Sequence, residues 1–129
     1  MSIERFPKWG VILASSLGVL LHMYISVFEA SGGLSAFTVG LLAWASVPYV
    51  ICLFIAFVRG GRPFLGFCGA TAALLGDLSS YYSVFISPTS STSAIVLLFA
   101  PMASLVFWMP LGVLVGYVVC RLHVRRAAP

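Results

Sequence analysis

One aspartate lies in the middle of a long apolar stretch of this 129-residue chain. Asp77 stands within LLGDLSSYYSVF, residues 74–85. An ionised carboxylate alone in hydrocarbon costs several kcal/mol, unless it finds a partner or takes up a proton. Ionisable groups in such segments either tie helices together or mark proton and substrate sites. Asp77 is therefore the first candidate for a functional group.

Three further residues are candidate members of the same polar site. His22 lies inside the first apolar stretch, Glu29 ends that stretch, and Tyr81 follows Asp77 by about one helical turn. We expect His22 to face Asp77, with Tyr81 within reach and Glu29 at the outer mouth of the site. Two roles stay open: a structural pair that fixes helix register, or a site that binds protons or substrate.

Other kinds of site lack their residues in this sequence. It contains no glycine-rich phosphate loop, no H-E-x-x-H motif and no serine, histidine and acid in an order typical of a nucleophile triad. Cys52, Cys68 and Cys120 lack C-x-x-C spacing, so we interpret them as small apolar residues rather than metal ligands. We expect no catalytic residue, no metal, no cofactor and no enzymatic activity.

The composition indicates which solvent surrounds the chain. Hydrophobic residues make up 61% of the sequence and charged residues only 8%, whereas soluble domains carry about 25% charged residues. A chain of this length cannot bury so much apolar surface in its own core. We therefore predict an all-α integral membrane protein that forms a single transmembrane domain over residues 1–129.

Four apolar segments are each long enough to cross about 30 Å of hydrocarbon as a helix. We predict helices at about residues 9–28, 34–58, 63–86 and 94–120, separated by the turn-rich stretches EASGG, RGGRP and SPTSSTS. Pro63 suits the first position of a helix. Because a helix satisfies its own backbone in lipid, the predicted architecture is a four-transmembrane-helix bundle.

All lysines and arginines fall on one side of these segments. They are Arg5, Lys8, Arg59, Arg62, Arg121, Arg125 and Arg126. Because such residues stay on the cytoplasmic side, we predict a multi-pass inner-membrane protein with both termini in the cytoplasm. Their position at segment ends argues against a nucleic-acid partner. We expect no cleavage after the first segment, since Glu29 stands where a small residue is needed.

Helical rise places His22 and Asp77 at the same depth. His22 is 13 residues beyond Trp9, and Asp77 is 14 residues beyond Pro63. At 1.5 Å per residue, both lie about 20 Å from the cytoplasmic surface. Equal depth is what a direct contact requires, so we predict a buried His22–Asp77 pair in the outer half of the membrane.

The two halves of the chain match at an offset of 57 residues. YISVF, residues 24–28, falls on YYSVF, residues 81–85. One interpretation is two parallel helical-hairpin repeats about an axis along the membrane normal. The other is coincidence within a composition rich in leucine and valine, and the sequence leaves both open.

The fourth segment carries a close-packing motif, Gly112-x-x-x-Gly116. This spacing lets two helices approach closely in a membrane. The partner is either another helix of this chain or a second chain. Proline interrupts the second and fourth segments, at Pro48, Pro101 and Pro110, which occurs both in ordinary membrane helices and in the broken helices of transporters.

In size and pattern the chain resembles small four-helix inner-membrane proteins of bacterial type, without a motif of any one family. We expect it to act through association, as an accessory subunit or a homo-oligomer, with the lipid bilayer and other membrane subunits or itself as partners. The alternative is a small oligomeric transporter or channel with a protonatable site at Asp77, His22 and Glu29.

The segregation of positive charge generates a test of the predicted topology. Reporter fusions at Gly33 and at the C-terminus should report opposite sides of the membrane, because an odd number of predicted spans separates them. Reporters on the same side would contradict four spans.

Overall fold

Helices account for nearly all of the chain that the structure describes. The computed structural model describes residues 8–29, 35–58, 62–87 and 93–127. The α-helices are α1 (Lys8–Tyr24), α2 (Ala36–Phe57), α3 (Pro63–Tyr81), α4 (Ser93–Ala103) and α5 (Met109–Ala127). Short π-helical segments follow α1, α3 and α4, at Ile25–Glu29, Tyr82–Ile86 and Ser104–Trp108. The last joins α4 to α5, so the chain forms four helical rods, which confirms the predicted all-helical fold.

The residues at the helix starts explain where α2 and α3 begin. Ser35 precedes α2 and exchanges hydrogen bonds with Thr38: the Thr38 amide donates to the Ser35 hydroxyl at 3.2 Å, and the Ser35 amide donates to the Thr38 hydroxyl at 2.8 Å. This reciprocal cap satisfies amides that a helix start leaves free. Pro63 is the first residue of α3, as predicted. The N-cap predicted at Ser91 or Thr92 lies outside the described residues.

Three helices are long and apolar enough to cross a membrane: Lys8–Phe28, Ala36–Phe57 and Leu98–Arg125. The third predicted span, α3, is not among them, since it carries Asp77 and two serines within an otherwise apolar helix. α3 packs against α1, α2 and α5 at the centre of the bundle. The fourth rod continues to Ala127, beyond the predicted end at 120, because arginine, leucine and alanine favour helix as well as the membrane segment does.

Contacts between helices show that successive rods run in opposite directions. Lys8 at the start of α1 lies over the ring of Phe57 at the end of α2, 4.9 Å from its centroid. Gly66 near the start of α3 meets Cys52 and Ala56 near the end of α2. The α5 glycines approach the start of α3. We call the end of the bundle that carries Lys8, Arg62, Arg121 and Arg125 the basic end.

Glycines let α3 and α5 approach to backbone contact. A Cβ atom added to Gly112 would lie 2.4 Å from the carbonyl oxygen of Cys68, and one added to Gly116 would lie 3.1 Å from the Cβ of Cys68. The two glycines of the G-x-x-x-G motif therefore pack against α3 of the same chain. This answers the question that the motif raised in the sequence.

Two helical features recur at the offset of the sequence match. The π segments Ile25–Glu29 and Tyr82–Ile86 start 57 residues apart, and so do α2 at Ala36 and α4 at Ser93. The same departure from α-helical geometry thus ends the first rod of each hairpin. The third π segment, Ser104–Trp108, falls opposite residues 47–51 of α2, which are regular α-helix.

The glycine contacts predict a difference between two alanine substitutions. Gly112→Ala should lower the free energy of unfolding by about 1–3 kcal/mol, because the new methyl group would overlap the backbone of α3. Gly40→Ala is the matched control, since nothing lies within 4 Å of a Cβ at Gly40 and alanine favours a helix by up to about 1 kcal/mol. Thermal unfolding in detergent would measure both, and equal effects would contradict this packing.

Candidate functional site

The carboxylate of Asp77 is the centre of a polar cluster inside the bundle. Nε2 of His22 lies 2.9 Å from its Oδ2 atom. The hydroxyl of Tyr49 donates to the same oxygen at 2.5 Å, and the hydroxyl of Ser104 donates to Oδ1 at 2.6 Å. The structure thus contains the predicted His22–Asp77 contact and adds two hydroxyl donors to it.

Each residue of this cluster comes from a different rod. His22 belongs to α1, Tyr49 to α2 and Asp77 to α3, and Ser104 begins the π segment between α4 and α5. Asp77 is 3% exposed, Ser104 1% and Tyr49 not at all. All four rods are therefore joined through a single buried carboxylate, which we call the Asp77 cluster.

The bond lengths fit an ionised carboxylate. O–H···O⁻ bonds are typically 2.5–2.7 Å long, shorter and stronger than bonds between neutral groups. Both hydroxyl bonds to Asp77 fall in this range. A buried carboxylate that accepts several hydrogen bonds recovers much of the solvation lost on leaving water.

His22 and Asp77 can share one proton. With the proton on Nε2, the pair is a salt bridge when imidazole carries both of its protons, and a neutral imidazole hydrogen-bonded to a carboxylate when it carries one. With the proton on Oδ2, the carboxyl group donates to imidazole. Two of these three arrangements leave the pair without net charge, which a low-dielectric interior favours.

His22 is the most accessible member of the cluster. Its side chain is 12% exposed, whereas that of Asp77 is 2% exposed. The imidazole lies beside the phenol ring of Tyr49, with ring centroids 6.3 Å apart. Proton exchange between the cluster and its surroundings would therefore pass through His22 first.

Two glycines make room for the aromatic rings around the cluster. A Cβ added to Gly18 would lie 2.1 Å from the ring of Tyr49, and one added to Gly76 would lie 2.4 Å from the indole of Trp108. Gly18 precedes His22 by one turn of α1, and Gly76 precedes Asp77 directly. The small residues thus seat Tyr49 and Trp108 against the helices that carry the pair.

The π segment at Ser104 helps to aim its hydroxyl. The amide of Met109 donates to the carbonyl of Ser104, five residues earlier, which is the π-helical pattern. Pro101 is buried one turn before Ser104 and has no amide hydrogen to donate. Insertion of a π turn shifts the following residues around the helix axis, and such turns are frequent at functional sites.

Two predicted members of the site are not placed at Asp77 by these contacts. The ring of Tyr81 packs near those of Tyr24 and Phe85, at centroid distances of 6.4 and 5.1 Å. It therefore belongs to an aromatic group near the π segments. The side chain of Glu29 lies outside what the structure describes, so the predicted outer mouth stays a prediction.

Two buried hydroxyls lie closer to the basic end than the cluster does. Ser15 precedes His22 by seven residues on α1, and Thr71 precedes Asp77 by six residues on α3, or about 10 Å along each helix. Neither hydroxyl has a hydrogen-bond partner among the described residues. They are the nearest polar groups on these two helices in the direction of the basic end.

The cysteines lie in the packed helix contacts. Cys52 is buried and its sulfur lies 3.0 Å from a Cβ position at Gly69, while Cys68 faces Gly112 and Gly116. Within the described residues, no group of three or more histidine, cysteine or acidic side chains is arranged to hold a metal ion.

Comparison with protein-family models, with curated proteins and with solved structures finds no match. The chemistry of the site is therefore argued from its own geometry.

The hydroxyl bonds predict the effect of removing one donor. Ser104→Ala should lower the free energy of unfolding by about 1 kcal/mol, because it takes a hydrogen bond from a buried carboxylate; hydrogen bonds between membrane helices average ~0.6 kcal/mol. Ser46→Ala is the control, since the Ser46 hydroxyl donates only to the Leu42 carbonyl of its own helix. Equal unfolding curves for the two variants would argue against the bond to Asp77.

Proposed function

We propose that this chain is a four-span membrane protein that works through association in the membrane, as an accessory subunit or as a homo-oligomer. The observation that carries the proposal is the occupation of Asp77 by donors from the other three rods. With its carboxylate so engaged, the polar interior acts as a lock between helices. Function is then left to the outer surface of the bundle.

The position of Asp77 supports α3 as the fourth span. Its carboxylate is covered on all sides by the other rods, so the polar residue that lowers the hydropathy of α3 does not meet lipid. A helix enclosed by three apolar neighbours can cross a bilayer with a charged group inside. The four rods then match the four spans that the sequence predicts.

The basic end supports the orientation. Lys8, Arg62, Arg121 and Arg125 lie together there, and cytoplasmic segments of membrane proteins are enriched in such residues. We infer that this end faces the cytoplasm, with both termini inside, and that the membrane is the inner membrane of a bacterial-type cell.

The outer surface supports association as the mode of action. Large apolar side chains cover it along every rod, among them Leu17, Phe54, Leu75 and Phe107, each more than half exposed. The described residues include almost no chain outside the helices. A protein of this form presents its flanks to lipid and to neighbouring membrane subunits or copies of itself.

A duplicated hairpin is also part of the proposal. The matching π segments and matching starts of α2 and α4 support it, since chance identity of apolar letters would not reproduce local helix geometry at the same offset. Parallel repeats of this kind are common in membrane proteins. The Asp77 cluster departs from the repeat, because Asp77 falls on Leu20 and His22 on Ser79.

A second candidate function has its own observation. His22 and Asp77 can hold one proton between them, and His22 is partly accessible. A small oligomeric transporter or channel would use this pair, with Glu29 at its outer mouth, as its protonatable site.

Isolation in native lipid discs tests association. We expect the chain to leave the membrane in a complex, either with further copies or with another subunit, and mass measurement of the intact discs identifies which. A population that contains only single copies would contradict association.

Substitution of Asp77 separates the two candidate functions. Asp77→Asn should keep the fold and the assembly, because an amide can still accept from Ser104 and donate to His22. Asp77→Leu should destabilise by about 1–3 kcal/mol, since it leaves buried donors unpaired. Thermal stability and proton flux in liposomes are measured on both. A stable Asp77→Asn variant that loses a flux seen in the parent protein would favour the transporter.

A further inference from the structure

The fourth rod extends past the rest of the bundle at the basic end. A Cβ added to Gly116 would lie 3.5 Å from the Cα of Leu65, which is the third residue of α3. Gly116 is therefore level with the start of α3, whereas α5 continues to Ala127. Residues 117–127 make up about 16 Å of helix at 1.5 Å per residue. We call them the α5 extension.

The helical register places two arginines on the side of α5 that faces away from α3. Arg121 follows Gly112 by nine residues, and Arg125 follows Gly116 by nine residues. Nine residues are two and a half turns, so each arginine is opposite its glycine across the helix. Because both glycines face Cys68 of α3, the arginines point out of the bundle, and both are exposed.

Apolar and aromatic residues flank these arginines. Tyr117, Val118 and Leu122 are 42%, 46% and 50% exposed. Val118 and Leu122 are one turn apart, next to the turn of Arg121 and Arg125. A tyrosine at the bundle end, followed by alternating apolar and basic residues, suits the boundary between hydrocarbon and headgroups.

The charge of this end favours an anionic occupant. The described side chains include one acidic group, Asp77, and it is buried among its own donors. Lys8 is engaged over the ring of Phe57, and Arg62 lies at the start of α3. Arg121 and Arg125 thus stand at the edge of the bundle without a carboxylate of the described chain to neutralise them.

We propose that the outward side of the α5 extension binds the phosphate headgroups of anionic phospholipids through Arg121 and Arg125. The proposal rests on the membrane location given under Proposed function. Guanidinium groups bind phosphate oxygens with two parallel hydrogen bonds, and their aliphatic stems can lie along acyl chains while the charge stays at headgroup depth. Val118 and Leu122 would then pack against the upper part of the same lipids.

Thermal unfolding of the whole protein in a nonionic detergent, with one additive at a time, tests this site. Phosphatidylglycerol should raise the unfolding temperature, because it binds the folded state, while phosphatidylcholine and glycerol 3-phosphate should not. Arg121→Gln/Arg125→Gln should lose most of the shift and keep the unfolding temperature of the parent protein without lipid. The matched control, Lys8→Gln/Arg62→Gln, removes the same charge from the same end and should keep the shift.

Each other outcome overturns the proposal. An equal shift with phosphatidylcholine would indicate an effect of acyl chains alone, and a shift with glycerol 3-phosphate would indicate a site for free phosphate. An equal loss in both double variants would indicate net charge rather than the α5 extension. Failure of the membrane location itself is separate, since the chain would then be purified without any detergent.

Discussion

The shared acceptance of hydrogen bonds by Asp77 is the interaction on which the arrangement of this bundle depends. One carboxylate receives donors from α1, from α2 and from the start of the π segment before α5. Apolar contacts between helices allow sliding at small cost, because one aliphatic side chain can replace another. A carboxylate with three partners fixes the depth and rotation of all four rods, since each donor must reach it within hydrogen-bond distance.

The small residues of the chain are placed where this constraint needs them. Gly18 admits the ring of Tyr49 and Gly76 admits the indole of Trp108, on either side of the cluster. Gly112 and Gly116 hold α5 against α3 in the half of the bundle toward the basic end. Without close approach there, Ser104 could not reach Asp77 from the same rod. The glycine contacts and the polar cluster therefore support each other.

Some of this site could be predicted from sequence and some could not, for physical reasons. His22 and Asp77 lie on parallel helices, so counting residues from the basic end put them at one depth. Tyr49 was missed because α2 runs the other way and Tyr49 is only eight residues from its end at Phe57. Its side chain is long and tilts toward the helix N-terminus, away from the basic end, which brings its hydroxyl to Asp77.

Ser104 was missed because nothing in its sequence marks a π segment. One signal was present: it is the only hydroxyl residue between Ser93 and Tyr117. A lone polar side chain in each apolar span would have picked out Ser104 beside His22 and Asp77. The helix order and most boundaries follow from length and turn residues alone, whereas the partner of Gly112 and Gly116 and the end of α5 depend on tertiary packing.

Solid-state NMR in lipid bilayers tests the central contact most directly. Asp77 is the only aspartate of the chain, so labelling aspartate with ¹³C at the carboxyl carbon marks one site. The chain has two histidines, and ¹⁵N labelling of their rings completes the pair. The account predicts strong dipolar dephasing between this carbon and Nε2 of one histidine, which disappears in His22→Gln and remains in His123→Gln. Absence of dephasing in the unsubstituted protein would contradict a bundle organised around Asp77.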